Sequence, residues 1–254
     1  MSADRRAALV TGASRGMGRS VAVALAQSGY DVAVNFSRSA EQAEETAALV
    51  RSFGAQALPL RADVSDEAAV REMLRSCASA FGRLDALVNN AGMTVETAPE
   101  DFDAMELDAW DRVFAVNVRG LFQVTRAALP MLRLSDDASV VNMSSIAGVR
   151  PSAQPLPYAA SKAAVANLTR TLARSLAPRV RVNAVAPGWV LGEWMEQTLG
   201  DNYQRLMDRR ASHTPLGRVA TPEDVAEVVV SLITSNHMVT GSVVVIDGGY
   251  SATT

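Results

Sequence analysis

The sequence predicts an α/β fold, a parallel β-sheet with helices on both of its faces. Apolar runs of strand length alternate with longer helical patterns along the whole chain, which is typical of repeated βαβ units. The first run, residues 7–10, leads into a glycine-rich turn and an alanine-rich helical segment at residues 20–26. The 254 residues are 48% hydrophobic, enough for one large core, and no linker interrupts the alternation. We therefore expect a single domain over residues 1–254.

The glycine-rich turn reads Thr11-Gly-Ala-Ser-Arg-Gly-Met-Gly18. A strand, a turn and a helix N-terminus direct backbone N–H groups and the helix dipole at one point, which suits phosphate. The Gly-x-x-x-Gly-x-Gly spacing differs from the more common Gly-x-Gly-x-x-Gly, so the strand before it and the helix after it carry the interpretation. We expect a dinucleotide to bind here. The expected contacts in the turn are Gly12, Ser14, Arg15, Gly16, Met17 and Gly18.

The same turn also fits the Gly-x-Ser-x-Gly pattern of serine hydrolases, with Ser14 as nucleophile and His213 or His237 as its base. Such a serine needs an earlier strand and loop to build part of the oxyanion hole. Only ten residues precede Thr11. The nucleotide site is therefore the favoured interpretation.

Composition excludes several classes of function. The net charge is −3 and the charges are interspersed, so we expect no nucleic-acid partner. Cys77 is the only cysteine, which excludes an internal disulfide and favours a small buried side chain. His213 and His237 lack metal-ligand spacing, so no metal is expected. With no long apolar run at the N-terminus or elsewhere, we expect a cytoplasmic protein without a membrane partner.

The second predicted strand, residues 31–36, ends without the usual acidic residue. Dinucleotide-binding folds place an Asp or Glu there to bind the ribose 2′-OH. This chain has Phe36, followed by Ser37 and Arg38. With the acid missing and two arginines available, Arg15 and Arg38, a 2′-phosphate is favoured. We expect NADPH to be preferred over NADH, although solvated surface charge would also explain both arginines.

The third strand, residues 55–60, contains Pro59 and is predicted at the sheet edge, because proline cannot donate to a central ladder. Asp63 and Val64 follow it, where an adenine would lie. The Asp63 carboxylate is suited to an exocyclic amine or, equally, to capping the helix of residues 66–81.

Polar residues follow the fourth strand, residues 84–88. Asn90, Ala91 and Gly92 lie at the carboxyl end of this strand, where open α/β sheets bind ligands, although the asparagine also suits bracing the turn. A long helical pattern over residues 107–133 then carries Asn117 in its interior. That asparagine is either a buried packing residue or an amide placed for the site.

The fifth strand, residues 139–143, precedes Ser144 and Ser145, and the next helix opens with Tyr158-Ala-Ala-Ser-Lys162. A spacing of four places Tyr158 and Lys162 on one helical face. Tyr-x-x-x-Lys alone is a weak signal.

In combination the motifs resemble the short-chain dehydrogenase/reductase family. The resemblance rests on the glycine spacing, Asn89-Asn-Ala-Gly92, a serine thirteen residues before Tyr158, and Lys162 one turn later. It extends over essentially the whole chain, through Asn183-Ala-Val-Ala-Pro-Gly188 to Asp247-Gly-Gly249. Within the family the chain is most similar to the 3-oxoacyl-(acyl-carrier-protein) reductases.

The resemblance implies a Rossmann-type, doubly wound sheet of seven parallel strands in the order 3-2-1-4-5-6-7. It also implies a catalytic tetrad of Asn117, Ser145, Tyr158 and Lys162. Lys162 would bind the nicotinamide ribose and Asn117 a water that relays protons. Ser145 is chosen over its neighbour because its distance to Tyr158 matches the family.

The chemistry of these residues is consistent with carbonyl reduction. Hydride arrival at carbon leaves negative charge on oxygen, so the site needs a hydrogen-bond donor and a proton source at that oxygen. Ser145 would hold the oxygen and Tyr158 would protonate it. We expect the Lys162 ammonium, together with the positive charge of oxidised nicotinamide, to lower the pKa of Tyr158.

The stretch after the sixth strand is expected to cover the nicotinamide and the substrate. Pro187 and Gly188 turn the chain over the ring, and Val190 offers backbone groups to the carboxamide. Gly192 stands where the family usually has a threonine. Residues 189–215 form the lid that the resemblance implies, with Trp194 expected to contact substrate while other apolar residues fix the lid to the core.

We therefore expect an NADPH-dependent reductase that acts on a small-molecule carbonyl, or on the alcohol in reverse. An NAD-dependent alcohol dehydrogenase of the same family and a non-catalytic dinucleotide sensor are the alternatives. Similar proteins are commonly tetramers, so we expect a homotetramer built through residues 107–133, residues 156–177 and the C-terminal region.

Overall fold

The computed structural model describes residues 5–152 and 154–253. The strands are β1 Arg6–Val10, β2 Tyr30–Phe36, β3 Ala57–Arg61, β4 Ala86–Asn89, β5 Ala138–Met143, β6 Val180–Pro187 and β7 Val243–Ile246. The helices are α1 Gly16–Gln27, α2 Ala40–Ser52, α3 Glu67–Phe81, α4 Leu107–Phe114, α5 Leu121–Leu132, α6 Leu156–Leu176, α7 Glu193–Leu199, α8 Tyr203–Ser212, α9 Pro222–Thr234 and α10 Tyr250–Thr253.

All seven strands are parallel and form one sheet in the order β3-β2-β1-β4-β5-β6-β7, as predicted. Chain order reverses between β1 and β4, so a crevice opens at the carboxyl ends of these strands. The edge position of β3 is confirmed, and Pro59 pairs there with Val34 of β2.

Helices cover both faces of the sheet, so the central strands are apolar on both sides. Side chains of α1, α2 and α9 form one core layer, and side chains of α3, α5 and α6 form the other. Cys77 lies in the second layer, where burial raises the pKa of its thiol to about 12. The prediction of a small buried side chain at Cys77 is therefore confirmed.

Two helix starts show how local sequence sets the boundaries. Thr221 and Asp224 form a reciprocal capping box at the start of α9, with the Asp224 N–H donating to Thr221 Oγ1 at 3.2 Å. Asp66 caps α3 by accepting from the Ala68 and Ala69 N–H groups. The N-cap hypothesis for Asp63 is therefore wrong.

The long helix predicted over residues 107–133 is interrupted. Between α4 and α5 the segment Ala115–Gly120 forms a π-helix, a feature often found at functional sites. Gly120, in this segment, packs closely against Val64, because a Cβ at position 120 would lie 2.8 Å from Val64 Cγ2. The π-helix also contains Asn117.

The predicted lid contains two short helices, α7 and α8, joined by the 3₁₀ turn Gly200–Asn202. Met207 of α8 is buried and anchors this part of the lid to the core. Within the described ranges, no helix is both long and apolar enough to cross a bilayer.

Candidate active site

The glycine-rich turn lies between β1 and α1 and is shaped by three glycines. Gly12 and Gly16 have φ values of +61° and +55°, the left-handed region that favours glycine. A Cβ on Gly18 would lie 2.3 Å from the Gly12 carbonyl oxygen. The turn and the first turn of α1 therefore approach each other more closely than any side chain at position 18 would allow.

Side chains from neighbouring strands brace this turn. Thr11 Oγ1 accepts from the N–H groups of Asn90 and Ala91, both at 3.0 Å. Asn90 Nδ2 donates to the carbonyl oxygens of Thr11 and Gly12, both at 2.9 Å. Asn35 Oδ1 accepts from the Gly12 N–H at 3.2 Å. Asn90 thus braces the turn, and Thr11 and Asn35 are supports that the sequence analysis missed.

The structure contradicts the serine-hydrolase alternative. The His213 ring lies against the Arg209 carbonyl oxygen at 2.7 Å. The His237 ring lies 3.4 Å from Asp137, just before β5 and therefore at the opposite end of the sheet from the turn. Neither histidine is placed to act as the base for Ser14.

The ends of β2 and β3 carry the groups expected near the adenosine ribose. Phe36 packs into the core, and Arg38 is exposed. Asp63 accepts hydrogen bonds from the Ser65 hydroxyl and N–H, which lower the pKa of its carboxyl, and the Arg38 charge lowers it further. Arg61 was missed in the sequence and donates from Nε to the Ser37 carbonyl at 3.3 Å.

Arg15, the other arginine expected at the ribose, is engaged elsewhere. Its Nη1 lies 3.4 Å from Glu193 Oε2 and 3.4 Å from Gln197 Oε1, both on α7. The guanidinium therefore reaches across the crevice to the lid.

Ser145, Tyr158 and Lys162 meet at the carboxyl end of β5. Ser145 caps the 3₁₀ turn Ile146–Gly148, and its side chain lies close enough to Tyr158 to lower the pKa of the phenol. Lys162 Nζ donates to the Met143 carbonyl at 2.7 Å and lies 5.6 Å from the centre of the Tyr158 ring.

The neighbouring serine has a different environment. Ser144 Oγ donates to the Lys162 carbonyl at 2.9 Å, so its hydroxyl faces the backbone of α6. This orientation agrees with the choice of Ser145 from spacing.

Burial has the largest effect on the pKa values of the site. Burial raises the pKa of Tyr158, and the Ser145 hydrogen bond offsets this in part. Burial also lowers the pKa of Lys162 to about 8. Desolvation has the larger effect on the phenol here. The lowering of the Tyr158 pKa is expected from Lys162 together with the charge of oxidised nicotinamide, and it stays a prediction.

Asn117 connects the π-helix to the catalytic helix. Its Oδ1 accepts from the Met93 N–H at 2.8 Å, while Nδ2 donates to the Met93 carbonyl and to Ser161 Oγ, both at 2.9 Å. Ser161 in turn donates to the Tyr158 carbonyl at 2.7 Å. The buried, hydrogen-bonded interpretation of Asn117 is confirmed, and both hydrogens of its side-chain amide are engaged.

The chain after β6 passes over the same crevice. A Cβ on Gly188 would lie 2.6 Å from Asp247 Cβ, so glycine is needed for this approach. Val190 forms a parallel β-bridge with Ala220, in which the hydrogen bonds are made by the residues on either side of Val190. The Ala220 N–H donates to the Trp189 carbonyl, and the Leu191 N–H donates to the Ala220 carbonyl. The N–H and carbonyl of Val190 itself therefore point away from Ala220, as a carboxamide contact requires.

Trp194 of α7 lies against the catalytic tyrosine. The two rings meet edge to face, with centroids 6.2 Å apart and an interplanar angle of 89°. Trp194 remains 38% exposed, so part of the indole is available to a ligand beside Tyr158.

Comparison with known proteins defines the class. Residues 12–251 match the family model described as enoyl-(acyl carrier protein) reductase. The chain belongs to the short-chain dehydrogenase/reductase family and is an NAD(P)-dependent oxidoreductase of that family.

Individual relatives are similar over nearly the full length. A putative ketoacyl reductase 2 of the granaticin polyketide synthase from Streptomyces violaceoruber is 44% identical, covering 95% of this chain and 94% of the relative. A 3-oxoacyl-(acyl-carrier-protein) reductase from Staphylococcus aureus is 37% identical, with 96% and 97% covered. The crystal structure of a putative short-chain dehydrogenase/reductase from Burkholderia xenovorans is 36% identical, with a TM-score of 0.90 and 98% and 99% covered.

Proposed function

We propose that this protein reduces a ketone or 3-oxo group to a secondary alcohol with NADPH, and catalyses the reverse oxidation when the cofactor ratio favours it. The observation that carries the proposal is the meeting of three side chains: Ser145 is close enough to Tyr158 to lower the pKa of its phenol, and the Lys162 amine lies 5.6 Å from the centre of the phenol ring. The ketoacyl and 3-oxoacyl reductases among the relatives support a 3-oxo substrate.

The residues of the turn fit a dinucleotide phosphate. A Cβ on Gly16 would meet no atom within 4 Å, so the turn leaves open space there, and the first turn of α1 carries no acidic residue. An anion at this helix N-terminus meets N–H groups and the positive end of the helix dipole. The remaining proposed contacts are Gly12, Ser14, Met17, Gly18, Asp63, Val64, Asn90, Ala91, Gly92, Pro187, Gly188 and Val190.

The proposed preference for NADPH rests on the end of β2. No carboxylate lies at position 36, and the guanidinium groups of Arg38 and Arg61 are carried by adjacent strand ends. A 2′-phosphate is well matched by such donors.

When bound, the reduced nicotinamide supplies the hydride that adds to the carbonyl carbon. Tyr158 transfers its phenolic proton to the carbonyl oxygen while Ser145 donates a hydrogen bond to the same oxygen. Loss of this proton converts Tyr158 into a phenolate. The Lys162 amine is charged below about pH 8, and its charge stabilises the phenolate. The product is the neutral alcohol, and solvent returns a proton to Tyr158 before the next cycle.

The test is the loss of nicotinamide absorbance with NADPH or NADH against a panel of ketones and acetoacetyl thioesters. We expect turnover of at least one of them, and Tyr158→Phe should reduce it about 100-fold or more while dinucleotide binding persists. Dinucleotide binding without turnover of any carbonyl or alcohol would favour a sensor. Undiminished turnover by Tyr158→Phe would remove Tyr158 from the acid role.

A further inference from the structure

The lid helix α7 is held in place by few contacts. It has seven residues, and none of their side chains is buried. A helix this short is marginal unless tertiary packing stabilises it. Gly192 and Gly200 flank it with φ values of +131° and +51°, conformations that other residues rarely adopt. The position of α7 over the cleft therefore depends on individual side-chain contacts.

Two such contacts lie on opposite sides of the cleft. Trp194 meets the Tyr158 ring edge to face. Glu193 and Gln197, one helical turn apart, both face Nη1 of Arg15 on the glycine-rich turn, each at 3.4 Å. One guanidinium thus connects the dinucleotide side of the cleft to the helix that covers the tyrosine.

Of the two carboxylates on α7, Glu193 is the one that forms an ion pair with Arg15. The helix carries a second carboxylate, Glu196, which forms no ion pair with the described residues. Glu193 and Arg15 are 48% and 40% exposed in their side chains, so their attraction is screened by water. Exposed pairs of this kind alter an equilibrium about two- to fivefold, enough to shift a lid but too little to determine the fold.

We propose that Glu193 is a positioning residue that, through Arg15, holds α7 over the cleft and keeps Trp194 against Tyr158. The proposal rests on the proposed function, in which Tyr158 donates the proton and α7 borders the substrate. Glu193 itself contacts neither Tyr158 nor Ser145. Its loss should therefore raise the KM for the carbonyl substrate about two- to fivefold and leave kcat within about twofold.

The decisive variant is Glu193→Gln, which removes the charge and keeps the shape. A measurement independent of turnover is acrylamide quenching of Trp194, obtained by subtracting the fluorescence of the matching Trp194→Phe protein. We expect Trp194 to become more accessible to acrylamide in Glu193→Gln. We also expect added salt to raise the KM of the unmodified protein but not that of this variant, because screening acts on the pair.

Two further variants separate this role from a general effect on the helix. Glu196→Gln removes an equal charge from the same helix away from Arg15, and should leave quenching and KM unchanged. Glu193→Gln combined with Gln197→Glu returns a carboxylate to the other position that faces Arg15, and should restore both values. In an Arg15→Gln background, Glu193→Gln should have no further effect on quenching.

The proposal fails if Trp194 quenching is the same in Glu193→Gln as in the unmodified protein. It also fails if Glu196→Gln has an equal effect, or if the effect persists without Arg15. Quenching needs no substrate, so these outcomes remain interpretable even if no carbonyl is turned over. Absence of turnover by the unmodified protein would count against the proposed reaction alone.

Discussion

Lys162 is the only lysine in the chain, and its side chain is almost fully buried. Arginine at this position would remain charged at every accessible pH, whereas a buried lysine titrates in a useful range. Its Nζ is held by the Met143 carbonyl, so the charge is fixed near the phenol ring. The site thus combines a phenol whose pKa is raised with an ammonium whose pKa is lowered, which moves the two pKa values apart, so the amine loses its proton at a lower pH than the phenol.

Because Lys162 is unique, its titration can be measured directly. Protein grown with ¹³Cε-labelled lysine should give a single side-chain resonance whose midpoint lies near pH 8, since burial disfavours the charged amine. In denaturant the same resonance should titrate near its ordinary value of 10.5. A folded-state midpoint above pH 10 would contradict the desolvation of this amine.

The same shift makes stability depend on pH. Between about pH 8 and 10.5 the unfolded chain binds the proton of Lys162 and the folded chain does not, so the free energy of unfolding rises with pH. Relative to Lys162→Met, which cannot titrate, the gain across this interval should approach about 3 kcal/mol. Denaturant melts of both proteins at several pH values measure it, and a constant difference would show that no shift exists.

Under the proposed function, Arg38 would bind the 2′-phosphate that distinguishes NADPH from NADH. Loss of a charge-assisted bond to phosphate should weaken NADPH binding about tenfold or more in Arg38→Ala, with NADH affected less than about twofold. Arg51→Ala is the matched control, because Arg51 is an exposed arginine on α2 that pairs with Glu44. Binding titrations with both dinucleotides provide the test, and equal losses for both would refute a 2′-phosphate contact at Arg38.

Residue identity predicted some parts of the site better than others. The choice of Ser145 over Ser144 was made because the spacing to Tyr158 matches the family, and it agrees with the environments of the two serines. The partners of Arg15 and Arg61 were not predictable. They depend on how loops and strand ends approach one another, which no local pattern records.

At the scale of elements, the contact between the glycine-rich turn and α1 leaves no room for a side chain at Gly18. Gly18→Ala should cost about 3 kcal/mol, because the atoms it meets include backbone oxygen that cannot move freely. Gly82→Ala adds the same methyl in open space at a left-handed C-cap and should cost only about 1 kcal/mol of conformational strain. Thermal or denaturant melts compare the two, and equal losses would show that crowding at Gly18 is unimportant.

The π-helix between α4 and α5 shows where periodicity stops being informative. Hydrophobic spacing over residues 107–133 predicts a continuous helix, and most of that range is helical. The interruption coincides with Asn117, whose amide is fully bonded to Met93 and Ser161. These tertiary bonds, rather than local propensity, accompany the altered turn, so a single-sequence pattern does not contain it.

At the scale of the whole molecule, a parallel sheet was predictable because its strands are apolar on both faces and its crossovers carry helices. The order of the strands was predicted from the resemblance to the family. Pro59 predicted that the third strand lies at the edge of the sheet, and the structure confirms this position. The lid was predictable only as an irregular stretch. None of the seven residues of α7 is buried, so no apolar stripe marks the helix in the sequence.

The exposed side of α5 bears on assembly. Phe122 is 41% exposed, and its ring lies 5.8 Å from Arg126, which lines an open groove of about 630 Å³ between α3 and α5. We propose that this face is covered in a homotetramer, the assembly that similarity to the family implies. Sedimentation should then give a mass four times the 26.9 kDa of the chain.

Phe122→Asp should lower that mass to a dimer or monomer, because a carboxylate would be buried against apolar surface without a partner. Phe53→Asp is the matched control, since Phe53 is 44% exposed at the end of α2, a helix on the opposite face of the sheet from α5. It should leave the mass unchanged. Equal dissociation by both variants, or a monomeric unmodified protein, would exclude α5 as the interface, and circular dichroism of each variant would show that the fold is intact.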